Sequence, residues 1–187
     1  MIQNIGLYIK GGQLMKDLFL AKPSKEYEES FKNYVLSYEN EEDEHYFEMY
    51  KEGIDNFDQY LNRLENNSKG IDIPEGWVQT SSFWLIHNSE VVGVTRVRHQ
   101  EVDTAGHIGY DISPCHRQKG YGSEILKLAL EEARKIGIQE AIATCNIENI
   151  ISKKIIEKNN GKLLGTVFDE EENEELYRYS ILTNSSI

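Results

Sequence analysis

Apolar residues at Ile125, Leu126, Ala129, Leu130, Ala133 and Ile136 recur with a spacing of about 3.6 residues, which predicts an amphipathic helix opening near Gly120 or Tyr121 and capped by Gly137. Upstream, Tyr27, Phe31, Tyr34, Val35 and Tyr38 share one face behind Pro23-Ser24, and Ser24 reads as the helix cap. A second helix starts near Asn56, carries Phe57, Tyr60, Leu61 and Leu64, and ends at the breaker Asn66-Asn67-Ser68-Lys69-Gly70. A loop then runs to Gly76. Short apolar runs read as strands at Asp17–Leu20, Phe83–Ile86, Val91–Val97, His107–Ile112, Ala141–Cys145, Leu163–Phe168 and Leu176–Leu182. Turn residues at Asn88-Ser89-Glu90 and Asp103-Thr104-Ala105-Gly106 mark hairpins, and a further helix ends near Asn159. The resulting order mixes strands and helices along the whole chain, an α/β pattern.

At 187 residues, with 39% hydrophobic and 28% charged residues, the chain has the size and balance of a single globular domain. Residues 1–14 show no clear element and read as a leader or disordered N-terminus; the domain is expected over 15–187, from Met15. No apolar run approaches the ~20 residues of a membrane span, so a cytoplasmic protein without a membrane partner is expected. A net charge of -12 argues against nucleic acid as a partner, because phosphate binding needs a basic surface. The acid is concentrated in two runs, at 39–44 and 169–175; these read as solvated loops, or in the first case as a feature that attracts an amine. Cys115 and Cys145 fit neither a disulfide framework nor a metal site, and no metal is expected.

The chemistry is concentrated in Arg117-Gln118-Lys119-Gly120-Tyr121-Gly122, between an apolar strand and the helix that follows. The first amides of a helix have no intrahelical partner and sit at the positive end of the dipole, so they hold phosphate where no side chain blocks the approach. Glycine gives that clearance, and Arg117 and Lys119 add positive charge. A dinucleotide fingerprint would need another glycine where Ile125 stands, and a phosphate-binding loop of the Gly-Lys-Ser/Thr kind is ruled out by Tyr121 and Gly122. The remaining alternative is that the glycines only shape a strand-to-helix turn.

This Arg/Gln-x-x-Gly-x-Gly spacing is similar to the acetyl-CoA signature of the GNAT acetyltransferase superfamily. Ile108-Gly109-Tyr110-Asp111-Ile112-Ser113-Pro114 resembles the family's fourth strand and its turn, and Asn149-x-x-Ser152 resembles the turn after its fifth strand. The resemblance implies a central, mostly antiparallel twisted sheet flanked by helices, with acetyl-CoA as co-substrate. It implies an N-acetyltransferase in which a primary amine attacks the thioester directly; a non-catalytic acyl-CoA-binding or sensing domain is the alternative.

By the same resemblance, the cofactor is held by the backbone of Asp111, Ile112 and Ser113, by Arg117, Gln118, Lys119, Gly120, Tyr121, Gly122 and Ser123, and by Asn149 and Ser152. Asn149 serves equally well as a helix cap. The tyrosine that protonates the thiolate in many members is replaced by Ile156, which leaves that role to water or to another tyrosine, Tyr177 or Tyr179. His107 is the candidate base, with Asp103 and Glu101 as rivals. The acceptor pocket would form around Tyr34, Tyr38, His45, Tyr46, Tyr50 and Trp77, residues that serve as core equally well. The expected partners are a small-molecule amine or a peptide N-terminus, with a second copy of the chain, as a homodimer, a further candidate.

Overall fold

The computed structural model describes residues 9–10, 13–14, 18–39 and 45–183. The expectation of a leader at 1–14 lies outside the described residues, apart from the two-residue strands β1 (Ile9–Lys10) and β2 (Gln13–Leu14), which pair antiparallel. Most of the first acidic run, 40–44, lies outside them as well.

From Phe19 onwards the order is β3 (Phe19–Ala21), α1 (Glu28–Leu36), α2 (His45–Tyr50), α3 (Glu52–Asp55), α4 (Phe57–Lys69), β4 (Thr80–His87), β5 (Glu90–Arg98), β6 (Ile108–Ile112), α5 (Tyr121–Lys135), β7 (Glu140–Asn146), α6 (Ile150–Lys158), β8 (Lys162–Asp169) and β9 (Glu174–Leu182). Strands β3-β4-β5-β6 form one antiparallel sheet and β7-β9-β8 another. This is the mixed α/β order that the pattern predicts, with the antiparallel sheets flanked by helices that the family resemblance implies.

The differences have local causes. Ser24 makes no side-chain cap; it precedes a single 3-10 turn at Lys25–Tyr27, and α1 stops at Leu36, so Tyr38 is buried from outside the helix. Strand β4 runs past its apolar centre into Thr80–Ser82, and β5 extends the expected Val91–Val97 by Glu90 and Arg98, because ladder pairing is a backbone property. Their hairpin turns on Asn88 and Ser89, both at positive φ, while Glu90 already pairs with His87. Helix α4 continues through the expected breaker and ends only where Gly70 adopts the left-handed conformation. Helices α2 and α3 have no counterpart in the pattern reading, since their short runs carry too few apolar residues to show a period.

The predicted face of α5 is buried: Leu126, Ala129, Leu130 and Ala133 pack with Phe83, Val97, Ile108, Ala141, Ala143, Tyr179 and Ile181, and Ile125 packs with Leu85 and Val92. Ile136 is the exception, standing exposed at the helix end. On the other face of β4 and β5, α1 to α4 bury an aromatic cluster in which Phe31 stacks on Trp84 with ring centroids 4.4 Å apart. The first sheet is therefore covered on both faces, and each large side chain buried there contributes about 1.5–3 kcal/mol.

Candidate active site

The turn from Arg117 to Ser123 is an open amide cradle. Helix α5 has Gly120 as its N-cap at φ 89°, with no side-chain cap. The first amides with partners are those of Ser123 and Glu124, both donating to the Gly120 carbonyl at 3.2 and 3.4 Å. The N–H groups of Gln118 through Gly122 have no hydrogen-bond partner among the described residues. No atom lies within 4 Å of the point where a Gly120 side chain would begin, so the approach is clear. Gly122 differs, because the Ile155 side chain lies 2.6 Å from its would-be Cβ, and its smallness lets α6 pack against α5.

The side chains around the cradle are mostly committed elsewhere. Tyr121 is buried and bonds His87 through its hydroxyl at 2.8 Å, which leaves its backbone to face the turn. Lys119 donates to the Cys115 carbonyl at 3.1 Å, and the Arg117 guanidinium stands 6.0 Å from the Tyr38 ring centroid. Ser123 is held by Asn159, whose amide donates to its carbonyl and hydroxyl.

Beside the cradle the two sheets part. The N–H of His107 donates to the Ile142 carbonyl at 2.7 Å, Ile142 N–H donates back to His107 Nδ1 at 3.0 Å, and Gly106 lies hard against the Ile142 carbonyl. Beyond this pinch β6 and β7 form no ladder. Arg98 N–H donates to the His107 carbonyl at 2.7 Å and Ser113 N–H to the Val92 carbonyl at 3.1 Å. Antiparallel alternation then turns the backbone of Gly109 and Asp111 towards β5, and that of Tyr110 and Ile112 towards the gap. Of the predicted backbone contacts, Ile112 lies on the free edge, whereas Asp111 and Ser113 spend their amides on β5. Tyr110, which sequence reasoning missed, shares that edge; strand alternation would have found it once the partner strand was known.

The Asp111 side chain is the centre of a buried polar network on the opposite face. Its carboxylate accepts from Tyr34, from Tyr38 at 3.0 Å and from Tyr50 at 2.6 Å, and it pairs with Arg96 at 3.2 Å. Burial first, and the adjacent carboxylate second, raise the Tyr34 and Tyr38 hydroxyls above their ordinary pKa, and burial raises Tyr50, so all three donate as neutral phenols. Tyr50 and Arg96 also form a wall of a cavity of about 830 Å³ between α2, α3, α4 and the β4–β5 face. Of the expected acceptor aromatics, Tyr34, Tyr38 and Tyr50 are buried core, whereas Trp77 is 67% exposed and lines the cavity.

The proton-transfer candidates are scattered. His107 uses Nδ1 to accept from Ile142, which puts the neutral ring's proton on Nε2. Burial lowers its pKa. Glu101 pairs with Arg178, and Asp103 is exposed in the turn. Tyr177 faces Cys145 in the β7–β9 register, with Lys153 Nζ 4.7 Å from its ring centroid. Tyr179 is buried and donates to Glu157 at 3.2 Å, its hydroxyl pushed up to about 12 mainly by burial. Ile156 is core. Asn149 caps α6 by accepting from Ser152 N–H at 2.9 Å. The Tyr110 hydroxyl is buried beside Ser152 with no well-formed hydrogen bond. Among the described residues no group of three or more His, Cys, Asp or Glu side chains is placed to hold a metal, and no helix is long and apolar enough to cross a membrane.

Residues 21–162 match the family model of the acetyltransferase (GNAT) domain. Comparison with curated proteins returns no match. Among solved structures the chain is similar to RimL, a ribosomal alpha-N-protein acetyltransferase in complex with coenzyme A, at TM-score 0.67 and 13% identity over 89% of this chain and 94% of that one. It is similar to the microcin self-immunity acetyltransferase MccE in complex with acetyl-CoA and AMP, at TM-score 0.61 and 13% identity over 87% and 91%. It also resembles spermidine N-acetyltransferase from Vibrio cholerae in complex with CoA and spermine, at 0.60 and 14% over 89% and 95%. With the family model spanning the cradle, the parted strands and the Asn149 turn, the chain belongs to the GNAT family of acetyl-CoA-dependent N-acetyltransferases.

Proposed function

We propose that the acetyl-CoA pyrophosphate docks on the free amides of Gln118 to Gly122 and that the pantetheine arm enters the gap between β6 and β7, bonding the backbone of Tyr110 and Ile112 as an added strand. Arg117 and Lys119 supply charge to the same anion, and Ser123, Asn149 and Ser152 complete the side-chain contacts. The observation that carries this reading is the pairing of an unpartnered amide run with an unladdered strand edge.

The amine then attacks the thioester carbonyl, the C–S bond breaks as the C–N bond forms, and the thiolate leaves without a covalent enzyme intermediate. A thiol's reference pKa near ~8.5 makes that leaving group undemanding. Proton return falls to hydroxyls around Cys145, where Tyr177 and the Tyr110–Ser152 pair stand. His107 acts as base only by giving up its bond from Ile142, so its main role is to hold the strands together.

The acceptor is a small-molecule amine or a peptide N-terminus, a range that RimL and the spermidine enzyme span between them. We infer a cytoplasmic site of action, supported by two free thiols. Purified protein incubated with acetyl-CoA and a panel of amines and peptides, with thiol release as the readout, tests the reading. Turnover of at least one amine is expected; cofactor binding with no turnover of any would favour the sensing role.

A further inference from the structure

Arg96 and Arg98 are two residues apart on β5 and so project from the same face. Gly109 lies opposite them on β6, and its lack of a side chain leaves room for both. A Cβ at Gly109 would meet Arg96 Nη2 at 3.3 Å and Arg98 Nη1 at 3.6 Å, so the two guanidinium groups converge over one point. Both line the cavity of about 830 Å³, together with Tyr50, Tyr60 and Trp77.

The charges of the pair are not balanced alike. Arg96 has Asp111 at 3.2 Å. Arg98 donates to the Ala105 carbonyl at 3.0 Å, and no carboxylate of the described residues lies within ion-pair distance of it. The other cavity cations are matched: Arg63 with Glu52 at 2.6 Å and Lys51 with Glu48. Asp55 and Glu171 also line the cavity but do not reach Arg98. Burial, and the like charge of Arg96, push Arg98 down to about 10. A partly buried cation beside another cation is stabilised by an incoming anion, and a guanidinium fork fits the planar or tetrahedral oxygens of carboxylate and phosphate.

We propose that this cavity takes an acceptor amine that also carries a carboxylate or phosphate group, docked on Arg98 with Arg96 beside it. The proposal rests on the acetyl-transfer reading above. Gly109 adjoins Tyr110, whose backbone lies on the free edge of β6, so the arginine pair stands beside the strand along which the pantetheine arm is proposed to lie. The chain's net charge of -12 does not steer such a molecule inward; selection is local, by the arginines.

The test uses matched amines at fixed ionic strength: phosphoethanolamine against ethanolamine, the dipeptide glycyl-alanine against its C-terminal amide glycyl-alaninamide, and spermidine as a cationic control. Thiol release gives KM for each with the wild type, Arg98→Gln and Arg98→Lys, and calorimetric titration with the same probes gives binding without turnover. At least one anionic amine is expected to have a KM tenfold or more below that of its neutral partner. That preference should vanish in Arg98→Gln and survive in part in Arg98→Lys, and the pair showing it identifies carboxylate or phosphate. Equal KM values within both pairs, a preference for spermidine, or an equal loss for both members in Arg98→Gln overturns the proposal. If no amine releases thiol, the acetyl-transfer reading fails, and calorimetry alone decides the oxyanion site. Anion binding lost in Arg98→Gln supports that site, and no anion binding to the wild type overturns it.

Discussion

The proposed cofactor side and the proposed acceptor side of this molecule are built by different means. The cradle uses backbone: free amides at the start of α5 and a free edge on β6. The acceptor side uses side chains, with Asp111 gathering Tyr34, Tyr38 and Tyr50 from 77, 73 and 61 residues away. A backbone site leaves a contiguous trace in sequence, because it needs glycine and a helix start at fixed spacing. A side-chain network leaves none, since no single segment holds enough of it to form a pattern. The two sides should therefore fail differently when mutated.

Asp111→Ala should have the largest effect. It strips Arg96 of its counter-ion and orphans buried hydroxyls, so urea unfolding should show a loss of about 3–5 kcal/mol. Gly120→Val should act on the other side, where a β-branched residue meets φ 89° at a cost of roughly 1–2 kcal/mol. The greater consequence lies in kinetics: KM for acetyl-CoA should rise at least tenfold while KM for the amine stays put. If Gly120→Val raised the amine KM equally, the division between the sides would not hold.

Asn149 sharpens the comparison further. Asn149→Ala should cost about 1 kcal/mol through loss of the α6 cap, and Asn149→Asp should restore that stability. A coenzyme A affinity restored along with it assigns Asn149 a capping role alone; an affinity still reduced in Asn149→Asp shows that the side-chain amide also touches the cofactor.

The smallest effect concerns pH. Burial lowers the His107 pKa, so the unfolded chain binds more protons than the native one in acid. Stability from this residue is complete above its ordinary value near ~6.5 and is lost as pH falls through the folded value, when Nδ1 protonates and the bond from Ile142 breaks. His99 and His116 are lowered in the same direction, so His107→Asn should flatten the acid slope only in part. A pH–rate profile that keeps its acid limb in His107→Asn assigns this histidine to the pinch; loss of the limb would make it the base.

What could be read from the sequence follows the same division. The α5 stripe, the cradle and the Asn149 turn were visible because each is local. The free edge of β6 was not visible: the run His107–Ile112 reads as a strand, but which backbone edge is left free depends on β7 failing to pair. Helices α2 and α3, the Asp111 network and the Arg96–Arg98 pair were invisible, because burial of a polar group is decided by partners far along the chain.

The central claim is that the Gly120 turn and the parted strands hold acetyl-CoA. Thermal melting of wild type and Gly120→Val with acetyl-CoA, CoA and ATP in parallel tests it most directly. The account predicts stabilisation of about 2.7 kcal/mol at a hundredfold excess of either CoA species over its dissociation constant, none with ATP, and a much reduced effect in Gly120→Val. No stabilisation by either CoA species, or an equal one by ATP, would contradict it.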